Sequence, residues 1–159
     1  MSIEAVRAYF QTLGIEGRIL EFPVSSATVE LAAQALGCAP ERIAKSLSFL
    51  VEDAPVLVVA AGDAKIDNSR FKGQFHTKAK MLTAEETVEL VGHAVGGVCP
   101  FALKEGERVY LDESLKRFDT VFPACGSANS AIELTIPELE RFSGSAQWVD
   151  VCKNWRLEE

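Results

Sequence analysis

Three stretches of this chain combine residue types able to bind or activate a small polar substrate. The first is Ile43-Ala44-Lys45-Ser46-Leu47-Ser48-Phe49, where a lysine sits at the change from a helical turn to an apolar strand. Its stem can lie along the core while the ammonium stands at a pocket mouth, placed to hold a phosphate or polarise an ester carbonyl. Alone, a strand-edge lysine is usually plain solvated charge. The second is Gly92-His93-Ala94-Val95-Gly96-Gly97-Val98-Cys99-Pro100-Phe101. Adjacent glycines admit positive φ and let a ligand approach backbone N–H groups, while Pro100 fixes the exit. Such a turn can aim several amides at one oxyanion or carbonyl, and the same residues would serve an ordinary connection equally well. Gly92 and Gly97 have the spacing of a P-loop, but Val98 and Cys99 stand where that motif needs Lys and Ser or Thr, which rejects nucleoside triphosphate binding. The third is Ala124-Cys125-Gly126-Ser127-Ala128-Asn129-Ser130-Ala131-Ile132-Glu133-Leu134, whose hydroxyl and amide side chains either bond a polar head group or make a good turn.

The other reactive residues form no set. The four cysteines, Cys38, Cys99, Cys125 and Cys152, show no Cys-x-x-Cys spacing, and His76 and His93 do not share a helical repeat. Neither a metal site nor a redox pair is signalled, and free thiols in a reducing compartment are expected. Cys99 and His93 offer a thiol nucleophile and a base, without an identifiable third group to orient them. A semi-buried thiol is the preferred reading.

The elements that must position these residues follow from hydrophobic periodicity. Residues 2–13 place Val6, Tyr9, Phe10 and Leu13 on one helical stripe that stops at Gly14. Residues 18–22 read as a strand, Ser26 or Thr28 opens a second helix that stops at Gly37, and Pro40 starts a short helical turn. Residues 45–51 and 56–61 form a hairpin-like pair about Asp53-Ala54-Pro55. Thr83-Ala84-Glu85-Glu86 is a capping box that launches a helix to about Val91, and a long loop follows. Later strands are expected at 109–112, 120–124 and 130–136, a helix at 137–142 and a closing strand at 148–152. Without a steady strand–helix–strand rhythm, a mixed α/β fold is favoured: a barrel-like mixed β-sheet flanked by helices.

Length and composition narrow the class. At 159 residues the chain is expected to be one domain, 1–159. With 48% hydrophobic and 25% charged residues it is neither disordered, collagenous nor coiled-coil. No run approaches the length of a membrane span, and charges at Glu4 and Arg7 are incompatible with a secretory leader, so a cytoplasmic address is expected. The net charge of −7 argues against a protein that coats nucleic acid, DNA included, through bulk charge. The distribution is uneven. Between Asp63 and Lys80, five basic residues (Lys65, Arg70, Lys72, Lys78, Lys80) stand against two acidic ones, Asp63 and Asp67. A small positive face on an acidic body suits a partner presenting few phosphates, though solvated lysines are the simpler reading.

Taken in order, these stretches resemble the YbaK/EbsC family of aminoacyl-tRNA deacylases, related to the editing domain of bacterial prolyl-tRNA synthetase. Ala44-Lys45-Ser46-Leu47-Ser48-Phe49 resembles its lysine-bearing strand, and Ala61-Gly62-Asp63-Ala64-Lys65-Ile66-Asp67 its next strand end. Gly96-Gly97-Val98-Cys99-Pro100-Phe101 resembles its Gly-x-x-x-Pro loop, and Gly126-Ser127 with Ile132-Glu133-Leu134 its C-terminal loop and strand. The resemblance covers about residues 22–151. It implies hydrolysis of the ester joining a wrong amino acid to the terminal adenosine of a tRNA, with no metal or organic cofactor. Lys45 would be required for activity, the amides of Gly96, Gly97, Val98 and the loop running to Pro100 would hold the carbonyl or the attacking water, and the substrate's own ribose 2′-hydroxyl would stand in for a protein base. Substrate contacts are expected from Phe22, Thr28, Val29, Leu47, Gly126, Ser127, Asn129 and Ser130, and acceptor-stem contacts from Lys65, Arg70, Lys72, Lys78 and Lys80. Many relatives carry Gly-Gly-x-Arg-Gly where this chain has Gly126-Ser127-Ala128-Asn129-Ser130, which leaves the amino acid removed open. Alanine or cysteine on proline tRNA is expected. The partners implied are the tRNA acceptor end and an aminoacyl-tRNA synthetase, the alternative being a non-catalytic module that binds either one.

Overall fold

Apolar residues on both faces of two consecutive β-branched and aliphatic runs build the centre of the molecule. The computed structural model of the chain describes residues 2–156; the two ends of the expected 1–159 domain lie outside the described residues. Strands β2 (Ile43–Val51) and β3 (Ala54–Ala61) form an antiparallel hairpin in which Phe49 faces Val56 and Val51 faces Ala54. Its turn is one step earlier than the sequence suggests. Glu52 and Asp53 carry φ of 51° and 63°, the paired left-handed residues of a two-residue hairpin whose twist matches the strands. Pro55 lies inside the strand.

Around this hairpin stand β5 (Arg108–Asp112), β6 (Thr120–Pro123), β8 (Leu134–Thr135) and β9 (Gln147–Val149), giving the order β8-β6-β2-β3-β5-β9. β6 runs parallel to β2, β5 to β3 and β9 to β5, so the sheet is mixed, and it curls into half a barrel. Two short pairs complete the strands: β1 (Leu20–Glu21) with β7 (Ser130–Ala131), and β4 (Lys65–Ile66) with β10 (Cys152–Lys153). The expected strands 130–136 and 148–152 are therefore each divided into two pieces that join different partners. Among the described residues no helix is long and apolar enough to cross a membrane.

Helices cover the sheet where their apolar stripes require it. α1 (Ser2–Thr12) and α5 (Ile136–Ser143) bring Val6, Phe10, Leu139 and Phe142 against Leu57, Val59, Val109 and Leu111 on one face. On the other face α3 (Asn68–Phe75) packs Phe71 and Phe75 against Phe49, Val56, Val58 and Tyr110, each buried aromatic contributing about 1.5–3 kcal/mol. α2 (Val29–Leu36) sets Ala32 and Ala33 on Ile43 and Phe122. The caps agree with the chain's polar punctuation. Thr28 accepts from Leu31 N–H, Thr83 and Glu86 close a capping box over α4 (Ala84–Glu86), and Thr135 and Glu138 do the same for α5. Residues 87–91 widen the last turn after α4 into a π-type bulge, a feature often associated with functional sites.

One buried acid is unpaired. Both carboxylate oxygens of Glu107, just before β5, are buried and accept no hydrogen bond among the described residues, and burial pushes its carboxyl up to about 7. Between the unfolded value of 4.5 and about 7 the folded chain then holds a proton that the unfolded chain has lost, so this group's contribution to stability is lost as pH rises through that window. Replacing Glu107 with Gln is expected to stabilise the protein by on the order of 1–3 kcal/mol above pH 7 and by little below pH ~4. Denaturant unfolding of both proteins across pH 4 to 8 measures the difference; a gap that does not narrow toward acid pH contradicts it.

Candidate active site

The site lies where strand β2 changes partner. β6 pairs with β2 only at Ile43 and Ala44, and the segment around Met81 takes over at Phe49, with Leu82 N–H donating to Ser48 O and Leu50 N–H to Lys80 O. Between them Lys45, Ser46 and Leu47 pair on the β3 side alone. This gap opens a cavity of about 330 Å³ between β2, the start of α2, the widened turn at Thr87 and the glycine loop. That is the lower end of the size range of small-molecule sites.

Lys45 forms part of its wall. The Nζ donates to the backbone carbonyls of Gly62 (3.3 Å) and Ala64. Two of its three protons are thus used by the turn after β3, leaving one for a ligand. Burial pulls its pKa below the ordinary lysine range, while the neighbouring Asp63 opposes that and Lys65 adds to it. The turn itself is rigidly placed. Ala61 N–H donates to Ser114 Oγ, Ser114 N–H to Asp112 Oδ2, and Val151 N–H to Asp112 Oδ1, so a fully buried aspartate anchors the strand ends around it. A Cβ on Gly62 would lie 2.0 Å from Pro40 O and 2.8 Å from a Val29 methyl, which is why only glycine fits between this turn and α2.

The glycine loop supplies a facing wall. Gly96 (φ +95°) and Val98 line the cavity, and neither N–H has an acceptor among the described residues. Gly97 behaves differently. Its N–H closes the loop's own turn on Ala94 O (3.0 Å), and its α-carbon lies so close to Gly126 and Ser127 that a Cβ would stand 2.8 Å from their backbone. Gly97 and Pro100 are buried beneath the loop and do not reach the cavity.

Of the eight substrate contacts expected from the sequence, Thr28, Val29, Leu47 and Ser130 line the cavity, and Phe22, Gly126, Ser127 and Asn129 do not. Phe22 and Asn129 bond each other: Phe22 N–H donates to Asn129 O (2.8 Å) and Asn129 Nδ2 to Phe22 O (3.0 Å). Ser127 Oγ is engaged with Asn129 Oδ1 and Ser130 Oγ. These residues shape the loop beside the cavity and leave the cavity wall to others. Of the five basic residues none lines the cavity; all are exposed, and Arg70 is paired with Asp150 at 3.2 Å. Lys80 immediately precedes the cavity-lining Met81.

The sequence did not single out Ser26, Ser46, Ser48 and Thr87, which also line the cavity. For Ser46 and Ser48 the signal was present as two hydroxyls at alternate positions of an apolar strand, hence on one face.

His93 and Cys99 do not make a nucleophilic pair. His93 Nε2 lies 2.7 Å from the Phe101 carbonyl, which can only accept, so Nε2 carries the proton and has no lone pair for the Cys99 thiol 3.5 Å away. Burial lowers the His93 pKa and pushes the Cys99 thiol up to about 12, and Cys99 has no exposed surface and lies outside the cavity. The thiol is fully buried, deeper than its sequence setting suggested.

Residues 24–142 match the family described as aminoacyl-tRNA editing domain. The chain is 57% identical to the uncharacterized protein YwhH of Bacillus subtilis, over 98% of this chain and 99% of that one. It is 32% identical to proline–tRNA ligase of Geobacillus over 63% of this chain, which there spans 18% of the ligase. Among solved structures, a candidate trans-editing enzyme for prolyl-tRNA synthetase superposes with a TM-score of 0.86 at 31% identity, covering 96% of this chain and 97% of that one.

The fit of Gly62 has a measurable consequence. Gly62→Ala is expected to cost about 1–3 kcal/mol of stability, because Pro40 O and Val29 must move away, and to displace the carbonyls that hold Lys45. A denaturant midpoint within error of wild type would show that the contact relaxes freely.

Proposed function

The chain belongs to the aminoacyl-tRNA editing domain family, and from that premise we propose that it is a free-standing hydrolase that removes a small non-cognate amino acid, of the size of Ala or Cys, from proline tRNA. The observation that carries the reading is that Lys45, tethered to Gly62 O and Ala64 O, lines one cavity together with Gly96 and Val98, whose amides have no acceptor among the described residues. Near-complete mutual coverage with the trans-editing candidate supports action by a separate protein, and the matches to proline–tRNA ligases support the choice of tRNA.

In this reading the ester enters between the two walls. The third proton of Lys45 and the two loop amides stabilise negative charge on the acyl oxygen or anchor the terminal nucleotide. A water molecule adds to the acyl carbon, the bond to the ribose oxygen breaks, and that oxygen takes the proton. The substrate's 2′-hydroxyl assists, since neither His93 nor Cys99 is available as a base or nucleophile. The exposed basic residues Lys65, Lys72, Lys78 and Lys80 meet acceptor-stem phosphates, and a synthetase that releases the mischarged tRNA is the implied partner.

Single-turnover deacylation of a panel of mischarged proline tRNAs tests this. Lys45→Ala is expected to slow hydrolysis by on the order of 10²–10³, and Cys99→Ala to leave the rate within about a factor of two, since a residue that makes no transition-state contact leaves kcat unchanged. Loss of activity in the cysteine variant with retention in the lysine variant would overturn the assignment, and binding with no cleavage of any ester would make the protein a carrier. Replacing Lys72 and Lys78 with Gln should flatten the dependence of log affinity on log salt by about 1 to 2; an unchanged slope makes the patch ordinary surface.

A further inference from the structure

The turn that holds Lys45 is itself held by one side chain. Asp63 lies between Gly62 and Ala64, whose carbonyls accept from Lys45 Nζ. Its carboxylate meets a single hydrogen-bond partner among the described residues, Arg117, in a two-point fork: Nη2 donates to Oδ1 at 2.5 Å and Nη1 to Oδ2 at 3.0 Å. A planar guanidinium engaged in this way fixes the orientation of a carboxylate as well as its distance. The same guanidinium donates from Nε to Ser114 O at 2.9 Å, and Ser114 Oγ accepts the N–H of Ala61, the residue at which the turn begins.

Arg117 has little freedom to swing. It ends the 3₁₀ turn Glu113–Arg117 that follows β5. Its guanidinium carbon lies 4.8 Å from the centre of the Phe118 ring and 5.2 Å from that of Trp155, and Nη1 also reaches the Trp155 carbonyl at 3.4 Å. The Arg117 and Asp63 side chains are each only 28% exposed, which separates this fork from the loose surface pairs that contribute nothing measurable. Arg117 does not line the cavity. Its influence there runs through three contacts: its fork to Asp63, the backbone from Asp63 to the carbonyls on either side, and those carbonyls to Lys45.

We infer that Arg117 is a positioning residue for the reaction: by clamping residues 61–64 at Ser114 and Asp63, it aims the two carbonyls that orient Lys45 Nζ. The inference rests on the deacylase reading and adds to it a residue that touches neither the cavity nor the substrate. A lysine in its place keeps the charge and loses the fork. The Asp63 carboxylate can then rotate, and the carbonyls on either side of it lose their fixed aim. A displacement of about 1 Å at a group that acts on the substrate costs on the order of 10²-fold in rate.

The test places Arg117→Lys and Arg117→Met in two backgrounds, with Lys45 present and with Lys45→Ala, and measures single-turnover deacylation of mischarged proline tRNA. Each variant is expected to slow hydrolysis by about 10- to 100-fold when Lys45 is present and by about twofold or less when it is absent, since a residue that acts through Lys45 then has nothing left to position. Equal losses in the two backgrounds would show that Arg117 acts elsewhere and would overturn the inference. In parallel, heteronuclear NMR follows exchange of the Lys45 ammonium protons with water, the signal being assigned by its loss in Lys45→Ala. Release from the two carbonyls is expected to speed that exchange by about tenfold in both Arg117 variants, while the amides of Val58 and Leu111, buried in the central strands, keep their wild-type rates. Unchanged ammonium exchange sinks the inference whatever the activity, as does a wild-type Lys45 that exchanges as fast as the exposed Lys72. A rise shared by the core amides makes Arg117 a stabilising contact alone and sinks it too. If wild type cleaves no ester and the Lys45 exchange still responds to Arg117, the deacylase reading fails and the placement of Lys45 by Arg117 stands.

Discussion

A half-buried ammonium that must be held is the constraint around which this molecule is arranged. Taking a lysine head group out of water is costly unless hydrogen bonds replace its hydration. Here the carbonyls of Gly62 and Ala64 do so, with Asp63 between them carrying negative charge. Those carbonyls can turn toward Lys45 only because the strand end before them is fixed by Ser114 and the buried Asp112, and because Gly62 has no side chain to collide with Pro40 and Val29. One polar requirement on β2 thereby sets the close packing of the first turn of α2 against the β3 end, and that packing forms one wall of the cavity.

The opposite wall is fixed by absent side chains. Gly97 lies against the backbone of Gly126 and Ser127, and Gly126 in turn lies against the backbone of Ser2 and Ile3, where a Cβ would come within 2.8 Å. A loop from the middle of the chain, a loop near its C-terminal third and the start of α1 are thus stacked at backbone contact. This explains why four of the expected contact residues sit beside the cavity: Phe22, Gly126, Ser127 and Asn129 hold the stack together, and Gly96, Val98 and Ser130 are what it presents to the cavity.

What could be read in advance divides along the range of the forces involved. Caps and stops are local, so Thr28, Thr83, Gly37, the stripe of α1 and the helix at α5 were legible, as was the central hairpin from its apolar runs. α3 was not. Gly73 interrupts it, and only Phe71 and Phe75, one turn apart, face inward; its stability comes from packing on Phe49 and Tyr110, residues distant in sequence. The breaks within 130–136 and 148–152 arise because each half pairs with a different strand, a tertiary decision that β propensity does not encode. Lys45 stood out as a charge in an apolar run. Ser26 did not, because a serine before a helix is also ordinary capping chemistry, and only the fold makes it a wall of the same cavity as Ser46 and Ser48.

The position of the cavity at a change of strand partner ties these strands of argument together. A strand edge left open is ordinarily a liability for wrong pairing, and proteins cover or interrupt it. Here β6 withdraws after Ala44 and the Met81 segment arrives at Phe49, so the open edge is only three residues long and is roofed by α2 and the glycine loop. Too short to template another strand, it still presents one polar side chain on each face, Lys45 toward the 62–64 turn and Ser46 away from it. A continuous six-stranded sheet would have buried both positions and demanded apolar residues there. The interruption lets the centre of a hydrophobic sheet carry a cation and hydroxyls beside a hollow of about 330 Å³.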